Sequence, residues 1–143
     1  MEESLDIFGI IKEKYNIDDV NLAEYSPLTL AYIGDAVYEI VIRTYIVSKA
    51  NNKVNKLHKQ TSNLVKASTQ AEIIKFLADE LTEEEMKIYK RGRNAKSVSM
   101  AKNASMSDYR SATGFEALMG YLYLNKESDR MLELIKKGVE SMS

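Results

Sequence analysis

The stretch 30-LAYIGDAVYEIV-41 decides the fold, because it is almost wholly apolar and aromatic yet carries Gly34, Asp35 and Glu39. Leu30, Ile33, Val37, Ile40, Val41 and Thr44 follow one another at three- and four-residue steps, the spacing of one helix face. Ser26 can cap such a helix, and Pro27 at its first position loses no hydrogen bond, so a helix is predicted from Pro27 to about Lys49. The β-branched run IVIRTYIV at 40–47 has strand propensity, but the helical period continues through it. At about 100° per residue Asp35 falls off the apolar stripe, with Tyr32 and Glu39 one turn away on its own side. Gly34 leaves the adjacent surface bare enough for another backbone or a phosphate to approach. An acid on a helix flank is as a rule merely solvated, so Asp35 alone decides nothing.

The stretch 111-SATGFEALMGYLYL-124 repeats the design of glycine, one acid and an apolar stripe. Thr113-x-x-Glu116 is itself a capping-box pattern, which would make Glu116 a helix-start residue. A helix begun earlier, capped by Ser107 or Asp108, makes Glu116 a mid-helix acid one turn from Gly120, and Tyr109 and Ala112 favour that start. Thr69-x-x-Glu72 and Thr82-x-x-Glu85 also match the capping box, so each is expected to open a helix. The second should end at Gly92, and residues 92–107, small, polar and basic, read as a loop. Met131, Leu132, Ile135 and Val139 mark a last amphipathic helix. With no defensible strand and no repeat, the predicted class is all-α.

A chain of 143 residues suits one domain, and 45% hydrophobic with 29% charged residues suits a globular one. The absence of cysteine excludes thiolate metal sites, and His58 as the single histidine makes a histidine-based zinc site or a compact histidine triad difficult to assemble, leaving carboxylates to carry chemistry. The acidic N-terminus lacks the features of a signal peptide and no apolar run approaches membrane-spanning length, so a cytoplasmic protein without membrane contact is expected. The net charge is −1, but the charges are sorted. Between Glu39 and Glu72 there is no acid, while Arg43, Lys49, Lys53, Lys56, His58, Lys59 and Lys66 lie there. Lys87 to Lys102 is equally acid-free and holds Lys87, Lys90, Arg91, Arg93, Lys96 and Lys102. Each interval could be a solvated face; together they favour a polyanion partner.

Two glycine-flanked acids on core helices beside two basic intervals resemble the ribonuclease III catalytic-domain family. Its Gly-Asp-Ala-Val signature stands here as YIGDAV at 32–37, and its Glu-Ala-Leu-x-Gly motif as FEALMGYLYL at 115–124. The resemblance runs from about Leu22 to Val139, and GDAVYE, RGRNAKS and YRSATGFEALMGYLYL place it closest to the dwarf bacterial branch, Mini-ribonuclease III. The resemblance implies the family's endonuclease-domain helical bundle, formed as a single domain over residues 1–143 with no room for a double-stranded-RNA-binding domain. It also implies Mg²⁺-dependent cleavage of double-stranded RNA by a homodimer, leaving 5′-phosphate and 3′-hydroxyl ends. The implied substrate is the precursor of 23S ribosomal RNA, with a ribosomal protein as a further candidate partner.

Carried over by motif, Asp35 and Glu116 are the implied catalytic residues and metal ligands. The family's usual four acids are not all present: Ala31 stands four residues before Asp35, and Thr113 three before Glu116. Two carboxylates still suit Mg²⁺, which completes its octahedron with water and phosphate oxygens. Glu39 could contribute through water or simply pair with Arg43. The loop at 90–97, with Lys90, Arg91, Arg93, Asn94, Lys96 and Ser97, is assigned to a groove of the duplex or its phosphates, and His58 with Lys59, on a helix surface, to its backbone. His58 reads equally well as an ordinary surface residue. Tyr38, Tyr45, Tyr121 and Tyr123 have the helical spacing of core or dimer-interface residues rather than base-stacking platforms. The rival reading is a non-catalytic RNA-binding module of the same fold, which the two missing acids would favour. A helical protein-interaction domain would leave the basic intervals without a use.

Overall fold

The computed structural model describes residues 6–95 and 105–142. Among the described residues there are seven α-helices and no strand: α1 (Ile7–Tyr15), α2 (Pro27–Lys49), α3 (Val54–Val65), α4 (Ala67–Leu77), α5 (Glu83–Arg93), α6 (Met106–Leu124) and α7 (Ser128–Glu140). No described helix is long and apolar enough to cross a membrane.

The helix α2 spans its predicted bounds, with Ser26 Oγ accepting the Thr29 N–H at 3.1 Å and Pro27 opening the first turn. Its buried seam is displaced from the predicted stripe. Leu30, Ala31, Gly34, Val37, Tyr38, Ile42 and Ile46 face the core, whereas Ile40 is 61% exposed and Thr44 turns its hydroxyl back onto the Ile40 carbonyl. Gly34 is the point of the seam that meets the backbone of α6, and its missing side chain sets how close the two helices come.

The helix α6 is the centre of the molecule, packed by α2, α4, α5 and α7. Residues 112–115, 117–120 and 122 are all buried, so it is apolar on nearly every side, as a helix enclosed by neighbours must be. Glu116 is the one charged residue inside that run. The start is earlier than either predicted cap: Ser105 accepts the Asp108 N–H at 3.0 Å, so Thr113 is no cap and Glu116 is mid-helix.

Of the two capping boxes, Thr82–Glu85 forms in full, with the Glu85 N–H on Thr82 Oγ1 at 3.1 Å and the Thr82 N–H on Glu85 Oε1 at 2.9 Å. Glu85 is buried and also receives Arg130 Nε at 2.8 Å and Nη2 at 2.9 Å from α7, which holds its carboxyl below the usual range. The Thr69 box does not form. Only Lys66 separates α3 from α4, so α4 is already under way at Thr69, whose hydroxyl donates to the Asn63 carbonyl at 2.6 Å. Tyr38 OH donates to the next carbonyl, Leu64, at 2.8 Å, and Gln70 Nε2 to Val65 at 2.8 Å. Three consecutive carbonyls that α3 cannot satisfy itself are thus met by side chains of α2 and α4.

Gly92 does not end α5, which continues to Arg93. It is buried against α6, where a Cβ would come within 2.8 Å of Ala117 Cβ and 2.9 Å of Gly114 Cα. The glycine is required by a close helix approach, not by a turn. The helix α7 buries Met131, Leu134, Ile135, Gly138 and Val139 and leaves Leu132 outside. The helix α1 has no counterpart in the expectations from sequence; it buries no residue and leans on the body through the Phe8 and Tyr123 rings, 5.1 Å apart.

Candidate active site

The site exists because α2 and α6 cross at two glycines. A Cβ on Gly34 would collide with the Glu116 carbonyl oxygen and come within 2.7 Å of Gly120 N, and one on Gly120 would collide with the Leu30 carbonyl oxygen. The bare surface beside Gly34 is therefore filled by another backbone. Asp35 follows Gly34 directly, and Glu116 lies one turn before Gly120, so the crossing that needs the glycines also brings the two carboxylates together.

Asp35 is exposed, Glu116 half-buried. Burial, and then the negative charge of Asp35, push the Glu116 carboxyl up to about 8; a hydrogen bond from Gln70 opposes the shift and one with Asp35 adds to it. Gln70 Nε2 donates to Glu116 Oε2 at 3.1 Å. Tyr38, edge-on to Phe115 at 5.2 Å, has its hydroxyl pushed up by burial and by Glu116. Glu116 thus sits in an apolar surround with a second carboxylate beside it, and a cation between the two would relieve the cost of both.

The donor set suits a hard divalent ion. Two carboxylates can hold Mg²⁺ or Mn²⁺ while water and phosphate oxygens complete the shell. Among the described residues no group of three or more His, Cys, Asp or Glu side chains could hold a metal. Ala31 and Thr113, where acids were to be expected by resemblance, are both buried, and the Thr113 hydroxyl donates to its own helix at Tyr109 O, 2.9 Å away. Glu39 is taken by Arg43, at 2.8 Å from Nε.

His58 and Lys59 are exposed on α3. Lys90 and Arg91 are exposed and Arg93 half-buried over the Tyr89 ring, 5.6 Å from its centroid. These three belong to the last turn of α5 rather than to a loop, a correction that follows from Gly92 packing within the helix; Asn94 is the C-cap. Lys96 and Ser97 lie outside the described residues. Both basic elements are tied to the same turn of α6. The end of α5 presses on Thr113, Gly114 and Ala117, and the end of α3 is joined to Glu116 through Gln70. A cavity of about 420 Å³ where α5 ends and α6 begins is lined by Arg93, Asn94, Met106, Ser107, Arg110 and Ser111, which adds Arg110 to the basic surface.

Gln70 and Arg110 were not singled out from sequence. For Gln70 a signal was present: it occupies the apolar stripe of α4 with Ile73, Ile74 and Leu77, where a polar side chain needs a buried partner.

The sequence profile of the Ribonuclease III domain matches residues 28–127. The Mini-ribonuclease 3 of Clostridium tetani is 57% identical over 117 residues, covering 81% of this chain and 78% of that protein. The Mini-ribonuclease 3 of a Thermoanaerobacter species is 46% identical over 140 residues, covering 98% and 97%. A crystal structure of a Fusobacterium nucleatum protein superposes with a TM-score of 0.76 at 32% identity, covering 84% of this chain and 96% of that one.

Proposed function

The chain belongs to the ribonuclease III family, and from that premise we propose that Asp35 and Glu116 form the cleavage site of a Mg²⁺-dependent endoribonuclease for double-stranded RNA. The observation that carries this reading is the glycine crossing, which sets two carboxylates side by side on the two family motifs. Asp35 and Glu116 would hold the ion. When bound, the ion supplies Lewis-acid chemistry, lowering the pKa of a water and offsetting charge that develops on the phosphate. The chain's own part is to hold the two carboxyl groups side by side and the duplex against them. Lys90, Arg91, Arg93 and Arg110, with His58 and Lys59, are placed to meet phosphates on either side of that turn of α6, and Lys96 and Ser97 extend the same basic segment. No protein nucleophile is required: water attacks the phosphorus and the 3′-oxygen leaves, which gives the 5′-phosphate and 3′-hydroxyl ends that the family resemblance implies.

Two sites are needed to cut two strands, and a homodimer supplies them with a two-fold axis that matches that of the duplex. The outer face of α2, where Leu28, Tyr32, Ile40 and Val47 are exposed, offers an apolar surface for the partner copy. The proposed natural substrate is the 23S ribosomal RNA precursor, with a ribosomal protein as a candidate helper in presenting it. The buried, non-acidic Ala31 and Thr113 favour the second reading, a module that binds duplex RNA without cutting it.

Incubation with long duplex RNA, with and without Mg²⁺, followed by sizing and end analysis, separates the two. Shortened duplexes with 5′-phosphate ends that require Mg²⁺ support cleavage. Retention of full-length RNA in a stable complex would establish the binding module.

A further inference from the structure

Gln70 is 1% exposed, on a buried face of α4 that it shares with Thr69, Ile73, Ile74 and Leu77. Its amide nitrogen donates to Val65 O at 2.8 Å and to Glu116 Oε2 at 3.1 Å, while Oε1 has no partner among the described residues. A buried acceptor without a bond weakens a fold, and methionine would fill nearly the same volume without one. Groups of this kind are kept where a site needs them. The amide cannot be turned over without loss, because both groups its nitrogen meets are acceptors and Oε1 has no hydrogen to offer them.

We infer that Gln70 is a positioning residue for the Glu116 carboxylate: it holds Oε2 with one amide hydrogen and the last carbonyl of α3 with the other, fixing how Glu116 faces Asp35. The inference rests on Glu116 being a ligand of the divalent ion. Two consequences follow from the geometry. Pinning one oxygen leaves the other directed in a single orientation, toward Asp35. Because the same amide grips the end of α3, the orientation of Glu116 is set relative to the helix that carries His58 and Lys59. Gln70 itself is enclosed in the core and does not reach RNA. Its loss should therefore act on ion binding and turnover, leaving the RNA concentration for half-maximal rate unchanged.

The test is Gln70→Met, compared with wild type and Glu116→Gln. Mn²⁺ binding to the RNA-free protein is followed by electron paramagnetic resonance, and kcat and KM are measured on duplex RNA. Gln70→Met should bind Mn²⁺ about tenfold more weakly and lose a similar factor in kcat with KM held, whatever the loss of the Val65 bond does to the thermal midpoint. A role confined to securing α3 predicts a lowered midpoint with Mn²⁺ affinity and kcat intact, and that result would overturn the inference, as would wild-type behaviour throughout. If the methionine variant does not fold, Gln70→Asn, whose shorter amide cannot span both acceptors, decides by the same two readouts. Unchanged Mn²⁺ binding in Glu116→Gln would instead remove the ligand assignment on which the inference stands.

Discussion

Glu116 sits where a carboxylate is least comfortable, half-enclosed by apolar α6 neighbours and beside Asp35, and its proton is held up to about 8 against an ordinary 4.5. A raised folded-state value means that the contribution of this one group to stability is full below about 4.5 and is lost as pH rises toward 8. Glu116→Gln removes the titrating group. In metal-free buffer the variant should be more stable than wild type by about 1 to 3 kcal/mol at pH 8, and the difference should vanish at pH 4. Urea unfolding at the two pH values measures it, and a glutamine variant that is less stable at pH 8 would contradict the environment described. At this scale the sequence was partly legible. Asp35 and Glu116 stand out because each is an acid beside a glycine in an apolar run. Gln70 does not, since its importance comes from partners 5 and 46 residues away that only the folded chain assembles.

Among the elements, the α2–α6 crossing carries the site. Gly34→Ala would drive a methyl into the Glu116 backbone, which cannot step aside as a side-chain tip could. We expect a loss of about 3 kcal/mol in unfolding free energy, read by urea titration, with cleavage lost in step as the two carboxylates part. The basic end of α5 makes a different contribution. Each phosphate contact releases counterions, so log affinity falls with log salt by about 0.9 per contact on B-DNA, a guide for RNA. Arg91→Ala with Arg93→Ala should weaken duplex binding and flatten that slope by about one to two units, with the rate at saturating RNA changed less. Superimposable binding lines across a salt series would mean that α5 does not touch the substrate. The helix starts show where local reading succeeds. Thr82–Glu85 formed its box because the chain before it is extended and the helix begins there. Thr69–Glu72 carries the same pattern, but α4 had already begun, its start dictated by the one-residue link to α3 and by tertiary bonds to that helix's carbonyls. Gly92 stands one residue from the end of α5, close to the expected stop, but the reason it is glycine is the α6 neighbour pressed against it rather than a turn.

For the whole molecule, the all-α class followed from periodicity, whereas the central place of α6 did not, because a helix apolar on all sides has no stripe to point at a partner. A second copy is the proposed occupant of the exposed apolar face of α2. Light scattering at micromolar concentration should give twice the mass of the chain, and replacing Tyr32 and Ile40, 82% and 61% exposed, with aspartate should give monomers. A wild-type monomer active on duplex RNA would end the dimer account. The central claim is that Asp35 and Glu116 together make the cleavage site, and the most direct test is the cleavage rate of long duplex RNA in Mg²⁺ by wild type, Asp35→Asn and Glu116→Gln, with duplex binding measured in parallel. We expect each substitution to lower the rate by about a hundredfold or more while the RNA is still bound and the helical fold retained. Wild-type rates in either variant would contradict the account.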